Sequence, residues 1–169
     1  MFIDLNRIGA KGLLLDDRVE LDEKLLIEDD SFFLESVAYN IHLTREREKV
    51  KARGRIKTKI SLRCVYCLEN FQLPVDSDFD IILFPVGSLD DNHSALSPDE
   101  MEYIFFDGEE IDLEKILMEQ VNLFIPYNPT CSPLCKGICP SCGTNLNYED
   151  CRCENVYTEM GLLFDKIKR

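Results

Sequence analysis

Eight cysteines, six of them crowded between residues 131 and 153, constrain the fold of this chain more than any other feature. The first two read Cys64-Val-Tyr-Cys67, and the rest run Cys131-x3-Cys135-x3-Cys139-x2-Cys142-x8-Cys151-x-Cys153. Zinc takes four thiolates at about 2.3 Å in closed structural sites, and a CxxC turn lets two sulfurs converge on one ion. Eight ligands therefore complete two tetrahedra. Cys139-Pro-Ser-Cys142-Gly143 has the strongest knuckle character, because Pro140 restricts the turn and Gly143 permits the reversal after the second ligand. Local pairing groups Cys139, Cys142, Cys151 and Cys153 on one ion, which leaves Cys131 and Cys135 to close on Cys64 and Cys67. Two zinc ions would supply folding free energy that a segment rich in Gly, Pro and Asn lacks.

This reading requires a reducing compartment, where cysteines serve as ligands or redox thiols rather than as a disulfide framework. Met1-Phe2-Ile3-Asp4 has no basic region of a secretory signal, and no apolar run approaches the ~18 residues of a membrane span. The chain reads as cytoplasmic, with no membrane partner. A thiol-disulfide oxidoreductase is the competing enzyme reading, but its CxxC belongs at a helix N-terminus, where the dipole lowers the thiol pKa. Cys67 is instead followed by Leu-Glu-Asn-Phe-Gln-Leu-Pro-Val, which alternates like a strand. A zinc-ribbon adaptor in transcription is a further binding-class alternative. Tryptophan is absent and His42 and His93 stand isolated, so Ser-His-Asp and Cys-His constellations are poorly supplied. No catalytic residue is assigned, and the chain is read as a non-enzyme.

From Phe32 to Leu83 side chains alternate with a period of two, the signature of half-buried strands. Phe33, Val37, Tyr39, Ile41 and Leu43 form one set; Val50, Ala52, Ile56, Ile60 and Leu62 a second; Phe71, Leu73, Val75, Phe79, Ile81 and Leu83 a third. Antiparallel strands joined near Glu46–Glu48 and Cys64–Cys67 follow, with a weaker strand around Val19–Ile27. Residues 87–111 read as an acidic surface loop in which Tyr103–Phe106 is a short strand, and Asp90, Asp91, Asp99, Glu100, Glu102, Asp107, Glu109 and Glu110 suit a basic protein partner. Asp112 is a plausible cap for a helix over 112–124, ended by Pro126, and a last helix runs from about Asn155 to Ile167. The fold class is α+β with two helices: an antiparallel sheet or open barrel over residues 1–126 that includes the acidic loop 87–111 and helix 112–124, and a Cys-rich zinc-knuckle segment with the terminal helix over 127–169, packed on that core. A chain of 169 residues buries roughly 70% of its unfolded surface, so the core needs no disulfide.

A formal charge of −13 argues against a general nucleic-acid coat, yet it hides a basic stripe. Arg45, Arg47, Lys49, Lys51, Arg53, Arg55, Lys57, Lys59 and Arg63 fill nine of ten odd positions, at about 6.6 Å per two residues of strand. That segment carries +7 and the remainder −20. With few counter-ions beside it in sequence, the stripe reads as an RNA-contact face that the acidic loop answers in the free protein; Lys and Arg that block edge pairing are the bland reading.

Leu62-Arg-Cys-Val-Tyr-Cys-Leu-Glu-Asn-Phe71, then Ile111-Asp-Leu before a helix ending in Pro-x-x-Pro, then Cys-Lys-Gly-Ile-Cys-Pro-Ser-Cys-Gly-Thr-Asn-Leu-Asn147, resembles the YceD family. That resemblance implies a role in accumulation of large-subunit rRNA, hence ribosome biogenesis with rRNA or a pre-ribosomal particle as partner, and no established catalytic activity. Some members of that family lack the last knuckle yet keep the first CxxC and have Cys or His just after the Pro-x-x-Pro, and this resemblance favours the grouping of Cys64, Cys67, Cys131 and Cys135.

Overall fold

The computed structural model describes residues 1–87 and 103–153. They divide into two compact units: Met1–Leu62 with Gln72–Tyr127, and Arg63–Phe71 with the described residues from Asn128 on.

The first unit is built on a mixed sheet of order β2-β4-β5-β6-β7, formed by β2 (Leu13–Val19), β4 (Val37–Glu46), β5 (Lys49–Arg63), β6 (Asn70–Pro85) and β7 (Tyr103–Phe106). The short β3 (Phe32–Phe33) adds to the far end of β5, and β1 (Phe2–Asp4) pairs separately with β8 (Glu110–Asp112). The alternation read from sequence is realised: Val37, Tyr39, Ile41 and Leu43 are buried at odd positions of β4, and Val50, Ala52, Ile56, Ile60 and Leu62 at even positions of β5. Parity switches because Glu46 pairs with Lys49, leaving Arg47 (φ 60°) and Glu48 as a two-residue hairpin loop. Each fully buried aliphatic side chain on this face contributes about 1.5–3 kcal/mol. Thr58, inward and buried among them, donates its hydroxyl to the Glu35 carbonyl at 2.8 Å.

Three expectations change. The strand expected near Val19–Ile27 lies earlier, as β2, because the Asp22 side chain accepts from the Lys24 amide and caps a 3-10 turn over Glu23–Leu25. The Tyr103–Phe106 strand forms, but β7 runs parallel to β6, with Ile82 opposite Tyr103 and Pro85 opposite Phe106, so the sheet is not wholly antiparallel. A parallel return needs a crossover of a dozen or more residues, which accounts for the length of the acidic segment. The end of that segment is strand, not loop, since β8 follows at Glu110–Asp112; residues 88–102 lie outside the described residues, as does the expected helix from Asn155 to Ile167.

Among the described residues there is one α-helix, α1 (Leu113–Phe124). Asp112 caps it as its sequence position suggests, accepting from the Glu114 and Lys115 amides. Leu113, Ile116, Leu117, Met118, Gln120 and Val121 form its buried stripe. The Met1 ammonium lies 2.9 Å from the Glu114 carboxylate, at the acidic first turn.

Candidate metal centres

In the second unit the residues from Cys64 to Cys67 turn tightly between the ends of β5 and β6. The Leu68 amide donates to the Cys64 carbonyl at 2.9 Å and the Cys64 amide to the Glu69 carbonyl at 2.9 Å. Cys139 repeats this pattern: the Gly143 amide donates to its carbonyl, and its own amide to the Thr144 carbonyl, both at 2.8 Å. Both knuckles need a left-handed residue after the second cysteine, supplied by Gly143 (φ 74°) and, unusually, by Leu68 (φ 61°). Backbone contacts bring in further ligands, since the Val65 amide donates to the Pro129 carbonyl at 3.0 Å and the Ile138 amide to the Tyr66 carbonyl at 3.0 Å. Gly137 (φ 74°) permits the latter approach, for a Cβ there would stand 3.1 Å from the Tyr66 carbonyl oxygen.

The result is two clusters, Cys64–Cys67–Cys131–Cys135 and Cys139–Cys142–Cys151–Cys153, each with its four sulfurs within 4.8 Å of one another. This is the grouping that local pairing suggests. Cys64 Sγ lies 3.8 Å from Cys135 Sγ, and Cys67 Sγ 3.7 Å from Cys131 Sγ. A tetrahedron with metal–sulfur bonds of about 2.3 Å has edges of about 3.8 Å. No disulfide joins any of the eight cysteines.

The electrostatics of each cluster are incomplete without a cation. Burial opposes ionisation of Cys64, but the amides of Cys131, Cys67 and Tyr66 aimed at its sulfur outweigh it and lower the pKa to about 6. The Cys142 and Ser141 amides lower Cys139 likewise, to about 6. Burial and then the neighbouring sulfurs push Cys131 up to about 12, and the Cys142 sulfur followed by burial pushes Cys153 up to about 12. One thiol in each site thus ionises readily while another stays protonated unless a metal ion displaces its proton. Asn147 was not anticipated: its Nδ2 donates to Cys135 Sγ at 3.4 Å, favouring the thiolate, while its Oδ1 accepts from the Lys136 amide at 2.8 Å. The Asn-Leu-Asn run after the last knuckle was the available signal. No helix N-terminus adjoins Cys64–Cys67 among the described residues, and it is single backbone amides, not a helix dipole, that favour the Cys64 thiolate.

The basic stripe divides. Lys49, Lys51, Arg53, Arg55, Lys57 and Lys59 share the outward face of β5 in the first unit. Arg47 sits in the hairpin loop, and Arg45, paired with Val50, falls on the opposite face, its Nε donating to the Arg47 carbonyl at 3.4 Å. Arg63 ends β5, and its Nε donates to the Leu68 carbonyl at 3.1 Å. The expected shortage of counter-ions is corrected: β6 sets an acidic row beside β5. Arg53 meets Asp80 at 2.7 Å, Arg55 meets Asp76 at 2.6 Å and Asp78 at 3.7 Å, and Lys57 meets Asp76 at 3.3 Å. Lys59 pairs with Glu35 at 2.8 Å and Lys49 with Glu46 at 3.8 Å. The hydrogen bond from Arg55 holds the Asp76 carboxyl below the usual carboxylate range. Among the described residues these partners come from β6, Glu35 and Glu46, and they leave the face close to neutral; the expected answer from the acidic loop falls on residues 88–102, outside the described residues. The alternation Asp76-Ser-Asp78-Phe-Asp80 was visible in sequence as a row of opposite sign.

A family model described as large ribosomal RNA subunit accumulation protein YceD matches residues 52–163. The chain is 29% identical to the large ribosomal RNA subunit accumulation protein YCED homolog 1, chloroplastic, of Zea mays, over 70% of this chain and 48% of that protein. Its Arabidopsis thaliana counterpart is 29% identical over 74% of this chain and 46% of its own length. An uncharacterised protein of Mycobacterium tuberculosis is 28% identical over 85% of this chain and 59% of its own. The chain thus spans about half the length of the curated relatives it matches. No solved structure matches it. Among the described residues no helix is long and apolar enough to cross a membrane.

Proposed function

The chain belongs to the YceD family of large ribosomal RNA subunit accumulation proteins, and from that premise we propose that it is a non-enzymatic factor for large-subunit biogenesis, acting in the cytoplasm and stabilised by two zinc ions. Its partners are large-subunit rRNA within a pre-ribosomal particle and a basic ribosomal protein. The observation that carries this reading is the extent of the match, since residues 52–163 take in all eight cysteines and the cations from Arg53 to Arg63. A closed four-thiolate site leaves no open position for substrate, which is why the metals are read as structural. Cys64, Cys67, Cys131 and Cys135 hold one ion, and Cys139, Cys142, Cys151 and Cys153 the other.

The β5 face engages rRNA by exchange. Exposed ion pairs are each worth about 0–1 kcal/mol, so Asp76, Asp78 and Asp80 yield their cations to phosphates at little cost. Near-neutrality denies the face long-range attraction, so contact follows docking instead of driving it. The test is a strain whose only copy carries Lys51→Glu, Arg53→Glu, Arg55→Glu and Lys57→Glu. Large-subunit rRNA should fall relative to small-subunit rRNA, and the protein should leave precursor particles on sedimentation. Unchanged sedimentation would sink the rRNA contact, and reactive thiols without bound metal would favour the oxidoreductase.

A further inference from the structure

The first unit carries a preformed apolar groove that neither the metal centres nor the β5 face uses. One wall is α1, with Asn122, the exposed Leu123 and, at its base, the buried Met118; the other is the segment around the 3-10 turn, with Leu21, Leu25 and Ile27. Leu26 points inward and is buried, which turns its neighbours out: Leu25 is 62% exposed, Ile27 68% and Leu123 62%. Asn122 fixes the spacing of the walls with two hydrogen bonds, Nδ2 donating to the Leu25 carbonyl at 3.0 Å and Oδ1 accepting from the Ile27 amide at 3.0 Å. The groove encloses about 540 Å³.

Its rim is acidic. Asp22, Asp112, Glu114 and Glu119 line it against a single lysine, Lys115, and the Met1 ammonium sits beside Asp112 and Glu114. Glu20, Glu23 and Glu28 add the same sign to that segment in sequence, with Lys24 among them. Three large exposed aliphatic side chains in one cleft are uncommon on a surface without a partner. An acidic rim selects against anionic partners, RNA included, and for cations flanking an apolar anchor.

We propose that this groove binds a basic amphipathic segment of a partner protein, whose aliphatic side chains rest on Leu25, Ile27 and Leu123 while its Lys and Arg meet Glu114, Glu119 and Asp22. It gives the basic protein partner of the proposed function a binding site, and it rests on that reading only for where the segment comes from. Anchoring by two or three side chains is the helix-in-groove or extended-peptide mode.

The probe is a labelled 14-residue peptide with Leu on one face and Lys and Arg on the other, titrated into the full zinc-loaded chain by fluorescence anisotropy. Leu25→Ser with Leu123→Ser should weaken it at least about tenfold, as expected when two buried aliphatic contacts are lost. Glu114→Gln with Glu119→Gln should weaken it about fivefold, and the effect should shrink with added salt. All four side chains are exposed, and amide spectra of the variants verify the fold. Equal binding of a peptide with Glu in place of Lys and Arg, or no loss in the Leu variant, overturns the proposal. Self-association abolished by the Leu variant assigns the groove to a second copy, and tighter peptide binding after removal of residues 155–169 assigns it to the chain's own tail; either result overturns it too. Normal peptide binding in a chain whose loss leaves rRNA levels unchanged would sink the ribosomal reading and spare the groove.

Discussion

With the proposed zinc ions in its two cysteine clusters, the protein should lose the fold of its second unit and keep that of its first when a strong chelator strips them. Among the described residues of the second unit the buried side chains are Cys64, Cys67, Cys139 and Pro129, while Val65, Tyr66, Leu68, Leu134 and Tyr148 are exposed. At about 1 kcal/mol for each small side chain, that burial is worth roughly 4 kcal/mol. Ordering the backbone costs about 1–2 kcal/mol per residue, so a few residues exhaust it. A structural zinc contributes about 10–16 kcal/mol in small zinc-binding peptides and dominates the balance. The first unit holds its own core, including Val37, Ile41, Leu43, Val50, Ile56, Ile81, Leu117 and Val121. The assay is amide hydrogen exchange before and after chelation, with metal content measured in parallel. The amides of Cys64, Leu68, Cys139 and Gly143, all hydrogen-bonded within the knuckles, should lose protection by at least about 10³-fold. Ile41 and Ala52 in β4 and β5 should keep theirs. Unchanged exchange at Cys139 and Gly143 in metal-free protein would refute the argument, because Pro129 is the only buried side chain other than cysteine among the described residues of that unit.

Asn147→Ala removes the amide that favours the Cys135 thiolate and should weaken metal at the first centre about tenfold or more, leaving the second unaffected, as read by competition with a chromogenic chelator. Asp76→Asn with Asp78→Asn releases Arg55 and Lys57, so affinity for an rRNA fragment should rise and its salt dependence steepen, by about −0.7 in log–log slope per phosphate gained. An unchanged slope would show that phosphate does not reach those cations. Asp112→Ala strips the cap of α1 and should cost about 1 kcal/mol in urea unfolding of the first unit, whereas Leu117→Ala at the fully buried stripe should cost about 2–5 kcal/mol.

The metal centres were legible because their chemistry is local: a CxxC turn and a Gly after its second cysteine announce a knuckle whatever surrounds it. Leu68 shows where that ends, since the first knuckle adopts the same backbone without the residue that signals it. The sheet was legible strand by strand, for alternation is a property of one segment, and the Asp112 cap likewise. What the sequence did not disclose was who lies beside whom. Asp76, Asp78 and Asp80 alternate as plainly as the cations they face, but only strand order makes them counter-ions, and that order is set by packing far along the chain. The parallel return of β7 is hidden for the same reason. Two apolar residues flanking an inward one, Leu25 and Ile27 about Leu26, read in sequence as part of a weak strand; only a capped 3-10 turn makes them a surface.

The two metal centres differ in how far apart in the chain their ligands lie. Cys64 and Cys135 are 71 residues apart, whereas Cys139 to Cys153 is a short local loop. Closing the longer span costs about 1–2 kcal/mol more in chain entropy. During synthesis, both sites complete only after every described strand of the sheet has been made, because Cys131 to Cys153 follow them in the chain. The local site then closes fast and alone, while the distant one waits on a search between two already placed segments. Exchange of metal in the mature protein should follow the same hierarchy: when cellular zinc runs short, the clasp between the β5–β6 turn and the Cys131–Cys135 segment opens first, and the compact knuckle pair persists. A factor arranged this way would register metal supply through its long-range closure.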